Sequence, residues 1–288
     1  MGFSINTNTG AFVALQTLNA TNKGLETTQS RINTGLKVAS TKDDSGTYAI
    51  AQSLRADLGG LNAVKSSLDR AQSTLDVAIS AAESISDVLV QMKEKATAAS
   101  DTGMDAASRE ALQDDFNKQI DQIKTYLKSA EFNGSNILTG GATDGDKIEA
   151  LLNTDATEKL TVENLDLDGT GGALVTFVSG GASQAADWSD ADTGATAAGT
   201  SATAVTDAID ALKSKLSELG SASRQISGQQ TFVTKLSDSI EAGIGNLVDA
   251  DLAKESARLQ ALQTKQQLGL QALSIANQAP QSILSLFR

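Results

Sequence analysis

The stretch VTDAIDALKSKLSELGSASRQISGQQTFVTKLSDSIEAGIGNL, residues 205–247, decides the fold. Within it Val205, Ile209, Leu212, Leu216, Leu219, Ser223, Ile226, Gln230, Val233, Ser237, Ile240, Ile244 and Leu247 succeed one another at alternating spacings of four and three. A 3.5-residue period held that long predicts a helix with one apolar seam, which must lie against another helix. At about 1.5 Å per residue it would be roughly 65 Å long, far beyond an ordinary globular helix.

The N-terminal arm repeats the pattern. After a polar lead, SINTNTG (4–10), Leu15, Leu18, Asn22, Leu25, Gln29, Ile32 and Leu36 alternate three and four. Gly35 interrupts the helix, and Ser40, Asp43, Asp44, Ser45 and Gly46 read as a loop and cap cluster. A second seam runs through Leu54, Leu58, Leu61, Lys65, Leu68, Gln72, Leu75, Ile79, Ala82, Ser86 and Leu89, and ends near Asp101-Thr102-Gly103. A shorter helix presents Leu112, Phe116, Ile120, Ile123 and Leu127 on one face. In the C-terminal arm the seam breaks at Gly243–Asn246. It resumes, offset, at Leu252, Ser256, Leu259, Gln263, Gln266, Leu270, Leu273 and Asn277. Pro280 is expected to stop this last helix and leave SILSLF as a short apolar tail.

Between the arms the chain turns rich in glycine, threonine and aspartate from Phe132-Asn133-Gly134 onward. LTVENLDL (160–167) and ALVTFV (173–178) read as two strands joined by a hairpin loop, with residues 180–200 low in complexity and loosely ordered. The expected fold is mainly α. It is a long antiparallel helical coiled-coil bundle formed by the N- and C-terminal arms, with a small inserted β-containing outer lobe.

Composition narrows the function. The 288 residues hold no cysteine and no histidine, which removes disulfides, thiol chemistry, histidine bases and the usual zinc sites. Residues 131–200 carry twelve acidic side chains against Lys147 and Lys159, while the flanking arms carry 23 acidic and 21 basic residues. The lobe is thus strongly acidic and the near-neutral arms are free to pack closely. No basic stripe interleaved with aromatics suggests nucleic acid, and no apolar run approaches the ~18 residues of a membrane span. The first residues show no basic and apolar signal pattern, so any export is expected to use a route that does not read a cleavable signal.

No catalytic, cofactor or metal site emerges. Asp166-x-Asp168-Gly169 lacks the further ligands of a calcium loop and reads as a turn; Asp43-Asp44 reads as helix capping. The polar seam residues Asn22, Gln29, Gln72, Gln230, Gln263 and Gln266 either are solvated where the bundle is incomplete or fix register between subunits.

Several stretches closely resemble bacterial flagellin: SINTN, SRINTGLKVASTKDDSGTYAIA (30–51), FNGSNILTG (132–140) and DADLAKESARLQALQTKQQLGLQALSIANQAPQSILSLFR (249–288). The resemblance covers roughly 1–140 and 200–288. It implies a structural subunit, not an enzyme, that forms a helical homopolymer for swimming motility. Such subunits leave the cell through the flagellar type III channel and reside in the extracellular filament, their termini folding on assembly.

On that likeness 1–56 with 246–288 form the inner filament core helices and the spoke. Residues 57–130 with 203–245 form the outer-tube bundle, and 131–202 a small, acidic, solvent-facing lobe. The implied inner-core assembly seam is Leu15, Leu18, Asn22, Leu25, Gln29, Ile32, Leu252, Leu259, Gln263, Gln266, Leu270 and Leu273. The implied outer-tube seam is Leu61, Leu68, Leu75, Ile79, Leu89, Leu212, Leu216, Leu219, Ile226, Val233 and Ile240. Implied partners are other copies, an export chaperone, and hook–filament junction and cap proteins.

Two departures from the family pattern stand out. Asp43-Asp44 is followed directly by Ser45-Gly46, which puts the glycine one place early. In ISDVLVQMKEKATAAS (85–100), Gln91 and Lys95 stand where many flagellins carry an arginine and a leucine contacted by the innate-immune receptor, so weak or no receptor binding is expected. A hook–filament junction protein shares the superfamily. A pore-forming translocator would need a hydrophobic hairpin, and a chemoreceptor-like rod would not explain the inserted lobe.

Overall fold

A computed structural model describes residues 8–140, 147–167, 174 and 187–286, with the backbone alone from 279 to 286. The elements are α1 (Thr9–Thr34), α2 (Ser45–Ala99), α3 (Ala106–Ser129), β1 (Ile148–Leu151), β2 (Lys159–Val162), α4 (Gly194–Val248) and α5 (Leu252–Leu286). Three helices, a β-containing insertion and two helices reproduce the order expected from the seams. The chain forms two compact units, one of residues 1–58 with 238–288 and one of residues 59–237.

In the terminal unit, α1 ends where Gly35 adopts φ 71° and its N–H reaches the Arg31 carbonyl, a left-handed cap that a residue with a Cβ resists. The chain after it runs beside the end of α4: Lys37 and Val38 N–H both point at the Val248 carbonyl (2.6 and 3.3 Å), and Ala250 N–H donates to Gly35 (2.9 Å). Val38, Ala51, Ile244 and Val248 bury one another there, flanked by Leu36, Tyr48, Leu54, Ile240 and Leu247. Of the Asp43-Asp44 pair, Asp44 caps a helix as expected, whereas Asp43 ties the loop before it. Asp43 Oδ2 accepts from the Ser40 hydroxyl and from the Ser40 and Ala39 N–H groups. Asp44 accepts from Gly46, from Thr47 N–H and from the Thr47 hydroxyl at the start of α2.

In the larger unit, α2 buries Leu61, Val64, Leu68, Ala71, Leu75, Ala78, Ala82, Ile85, Leu89, Met92, Ala96 and Ala99, still at alternating three and four. Opposed to it, α4 buries Ala198, Ser201, Val205, Ala208, Ile209 and Leu212 in its first half, then Leu219, Ile226 and Val233, one residue in seven. Gln72 donates to Ser223 (2.9 Å) and Gln230 to Asp69 (2.9 Å), so the two helices run antiparallel with polar pairs beside the apolar seam. Helix α3 folds back on the far half of α2, burying Phe116, Ile120, Ile123 and Leu127. Lys95 to Asp115 (3.0 Å) and Gln119 to Gln91 (3.3 Å) mark that second antiparallel pair. The buried stripe of α4 therefore narrows after Leu212, while that of α2 keeps its three–four spacing to Ala99.

Four local expectations need correction. The strand read at 160–167 is β2 only as far as Val162, and its partner is β1, with Ile148 opposite Val162 and Leu151 opposite Lys159. The remainder bends at Asp166 (φ 43°) while Leu165 and Leu167 N–H donate to Ile137 and Leu138. Leu174 N–H donates to Leu167; the rest of the proposed second strand, 173 and 175–178, and the loop 168–172 lie outside the described residues.

Next, the segment from 187 is firmly held rather than loose. Trp188 is buried with its ring 4.9 Å from that of Phe116, and its backbone N–H donates to Gln113 Oε1 (3.1 Å). Asp190 caps α4, accepting from Asp192 and Thr193 N–H and from the Thr193 hydroxyl, so the helix starts at Gly194. The buried Arg109 donates to the Met104 carbonyl (2.7 Å) and the Asp190 carbonyl (3.2 Å). A Cβ on Gly194 would collide with the Trp188 carbonyl and the Arg109 guanidinium.

Third, α4 continues through Gly243 and Gly245 to Val248, and α5 begins at Leu252 under an Asp251 cap. The break therefore falls a few residues later than the glycines suggest. Last, Pro280 does not stop α5, whose backbone stays helical to Leu286.

Candidate assembly surface

Helices α1 and α5 pair antiparallel. Asn8 reaches Ala276, Leu18 lies against Gly269, Asn22 accepts from Gln266 (2.8 Å), Gly24 faces Leu262, and Arg31 meets Glu255 (3.2 Å). On α1 the buried side chains are Leu18, Thr21, Leu25 and Thr28, with Ala14, Arg31 and Ile32 half-buried. On α5 the matching positions are Glu255, Leu259, Leu262, Gln266, Gly269, Leu273 and Ala276. Both rows keep the three–four rhythm. Small residues, Ala14, Thr21, Thr28, Gly269 and Ala276, alternate with larger ones along them and let the helices approach closely at those points.

Of the inner-core seam residues, the structure brings Leu18, Leu25, Ile32, Leu259, Gln266 and Leu273 onto the facing sides of this pair. Leu15, Gln29, Leu252, Gln263 and Leu270 lie outside it, and Asn22, though exposed, reaches across the pair to Gln266. Large apolar side chains remain uncovered on both helices. Phe12 is 66% exposed, Val13 62%, Ile275 69%, Leu268 57% and Leu270 54%. Exposed large apolar side chains in such number are the mark of an interaction surface. Thr21, Thr28 and Glu255 were missed from sequence because polar residues do not advertise a seam; their heptad spacing from Leu18, Leu25 and Leu259 was the available signal.

Glu255 and Arg31 are the one charged pair across this seam among the described residues. The contact uses a single oxygen, and Glu255 Oε2 and Arg31 Nε are buried without hydrogen-bond partners.

The outer-tube seam residues fall in the larger unit, save one. Leu61, Leu68, Leu75, Leu89, Leu212, Leu219, Ile226 and Val233 are buried, and Ile79 and Leu216 half-buried. Ile240 instead packs on the Val248 cluster of the terminal unit. Val90 and Phe232 point outward, 57% and 58% exposed. Gln91 and Lys95 bond to α3 as described above. Among the described residues no acid cluster could hold a metal ion and no helix is long and apolar enough to cross a membrane.

Residues 5–143 match the bacterial flagellin N-terminal helical region, and residues 202–287 match the bacterial flagellin C-terminal helical region. The chain belongs to the flagellin family. Flagellin FljM of Caulobacter vibrioides is 49% identical over 286 residues, covering 99% of this chain and 98% of that one. The flagellin of Brucella melitensis is 39% identical over 288 residues, covering 99% of both. A solved structure described as that of a flagellar hook-associated protein from Vibrio parahaemolyticus is similar in fold. Its TM-score is 0.60 at 14% identity, over 72% of this chain and all of that one. Flagellins are structural proteins, not enzymes, and this flagellin is a flagellar structural subunit. Family membership implies self-assembly into the extracellular filament.

Proposed function

We propose that this flagellin polymerises into the swimming filament by burying the outward faces of α1 and α5 against the same helices of other copies. The observation that supports this is the set of large apolar side chains on those faces, Phe12, Val13, Leu15, Leu268, Leu270 and Ile275, left uncovered by the intrachain pair. Residues 1–56 with 246–288 then form the inner core and spoke. Residues 57–130 with 203–245 form the outer tube, and 131–202 the acidic exterior. The polar outward residues Gln29 and Gln263 set register between copies, since mispairing would leave their amides without partners.

Export proceeds through the flagellar type III channel, with a chaperone holding the C-terminal segment, and the hook–filament junction and cap proteins guide incorporation. Deletion of 251–288 tests the assignment. The truncated chain is expected to stay monomeric because half of the inner face is gone. Filaments grown from it would contradict the proposal.

A further inference from the structure

The helical passage of α5 through Pro280 demands a donor that the proline cannot provide. In an α-helix the N–H of residue 280 would bond the carbonyl of Ala276, four residues back; proline has no N–H, and its ring pushes that carbonyl off the helix axis. The Ala276 carbonyl is not left bare. Asn8 Nδ2 donates to it at 2.7 Å. The same side chain works at its other end, where Asn8 Oδ1 accepts from Ala11 N–H (3.1 Å) and caps α1. The start of α1 lies against this turn of α5, since a Cβ on Gly10 would sit 3.9 Å from the Ala276 methyl, in ordinary contact.

We infer that Asn8 is a two-ended latch: its carbonyl oxygen closes the first turn of α1 while its amide replaces the donor that Pro280 withholds from α5. Ala276 and Asn8 are 268 residues apart, so the bond couples the two chain ends directly. The last turns of α5 are then helical only while the first turn of α1 is docked. Neither terminus orders alone, and a chain with one end misplaced presents no finished end to a neighbouring copy. Asn8 acts as a positioning residue for the assembly surface, and this consequence rests on the assembly reading above.

The chemistry separates the two ends of the latch. In Asn8→Asp the cap acceptor is kept and the donor lost; in Asn8→Ala both are lost. Pro280→Ala restores a backbone N–H for the Ala276 carbonyl and makes the latch donor dispensable. Amide hydrogen exchange of residues 277–286 would be measured in the full chain, assembled and dissociated, for each variant alone and combined. Asn8→Asp should lower protection about fivefold, the weight of one net hydrogen bond. In the Pro280→Ala background the same change should lower it by less than about twofold.

An equal loss in both backgrounds, or none with Asn8→Asp, overturns the latch. So does a lack of protection at 277–286 in every state of the unaltered chain. Failure of the unaltered chain to form filaments would instead count against the assembly reading, while the background dependence still decides the latch.

Discussion

Glu255→Gln isolates the one charged contact across the α1–α5 seam among the described residues. Glu255 is buried and its side chain 10% exposed, whereas Arg31 keeps 25% of its side chain in water. Removing one member of a fully buried pair costs about 3–5 kcal/mol, because the other charge is stranded; an exposed pair is worth about 0–1 kcal/mol. Arg31 lies between these limits, since its guanidinium can partly hydrate, and Arg31 Nε and Glu255 Oε2 already lack partners. A cost of about 2 kcal/mol follows.

If the seam is completed in the assembled state, that cost appears in the critical concentration for polymerisation, which should rise about thirtyfold. Sedimentation of filaments at a series of subunit concentrations measures it directly. Replacing both members, as in Arg31→Met with Glu255→Leu, should recover most of the loss, because no charge is then stranded. A critical concentration for Glu255→Gln within twofold of the unaltered chain would refute the reasoning. So would a double variant as poor as the single one.

Other outcomes follow from the remaining geometry. The Ser40 hydroxyl and N–H hold the Asp43 carboxyl below its ordinary range, and the Thr47 hydroxyl and N–H do the same for Asp44. Depressed folded-state values mean that these two carboxylates stabilise the loop and the start of α2 above the unfolded-state pKa and lose that stabilisation as pH falls through the folded value. Helix content followed by circular dichroism should therefore decline on acidification, and Asp44→Asn should flatten that decline; an unchanged acid profile would count against these contacts. Phe116→Ala removes the ring beneath the sole tryptophan and should cost about 3–5 kcal/mol in denaturant unfolding. Trp188 emission should shift red on unfolding, and an unmoved midpoint would show the clasp to be slack. Gln91→Arg with Lys95→Leu should raise activation of cells bearing the innate-immune flagellin receptor, since it supplies a charged and an apolar anchor worth a few kcal/mol; equal potency before and after would dismiss that alignment.

The helices and their order were legible because a heptad pattern is local and long. Which face each helix buries was less so. The sequence weighs side chains by size, and it favoured Lys65, Gln72 and Ile79 as companions to Leu61, Leu68 and Leu75. The structure seals the more deeply buried Val64, Ala71 and Ala78 instead. Alanine and threonine seams give little apolar signal, yet they allow close helix approach, which is why Thr21 and Thr28 escaped notice.

Strand β1 was invisible because Ile148-Glu149-Ala150-Leu151 carries helix formers. Its pairing depends on β2 and on the Ser67 hydroxyl, which accepts from Leu151 N–H. The passage through Pro280 was unreadable for a different reason. The rule that proline ends a helix is local, and its remedy, the Asn8 amide, comes from the other end of the chain.

Electron microscopy of the purified full-length chain, dissociated by heat and seeded with sheared fragments, tests the central claim most directly. Long, uniform helical filaments that bury α1 and α5 in their interior are the result expected. Monomers that persist beside intact seeds, with Phe12, Leu268 and Ile275 still open to solvent, would contradict the account.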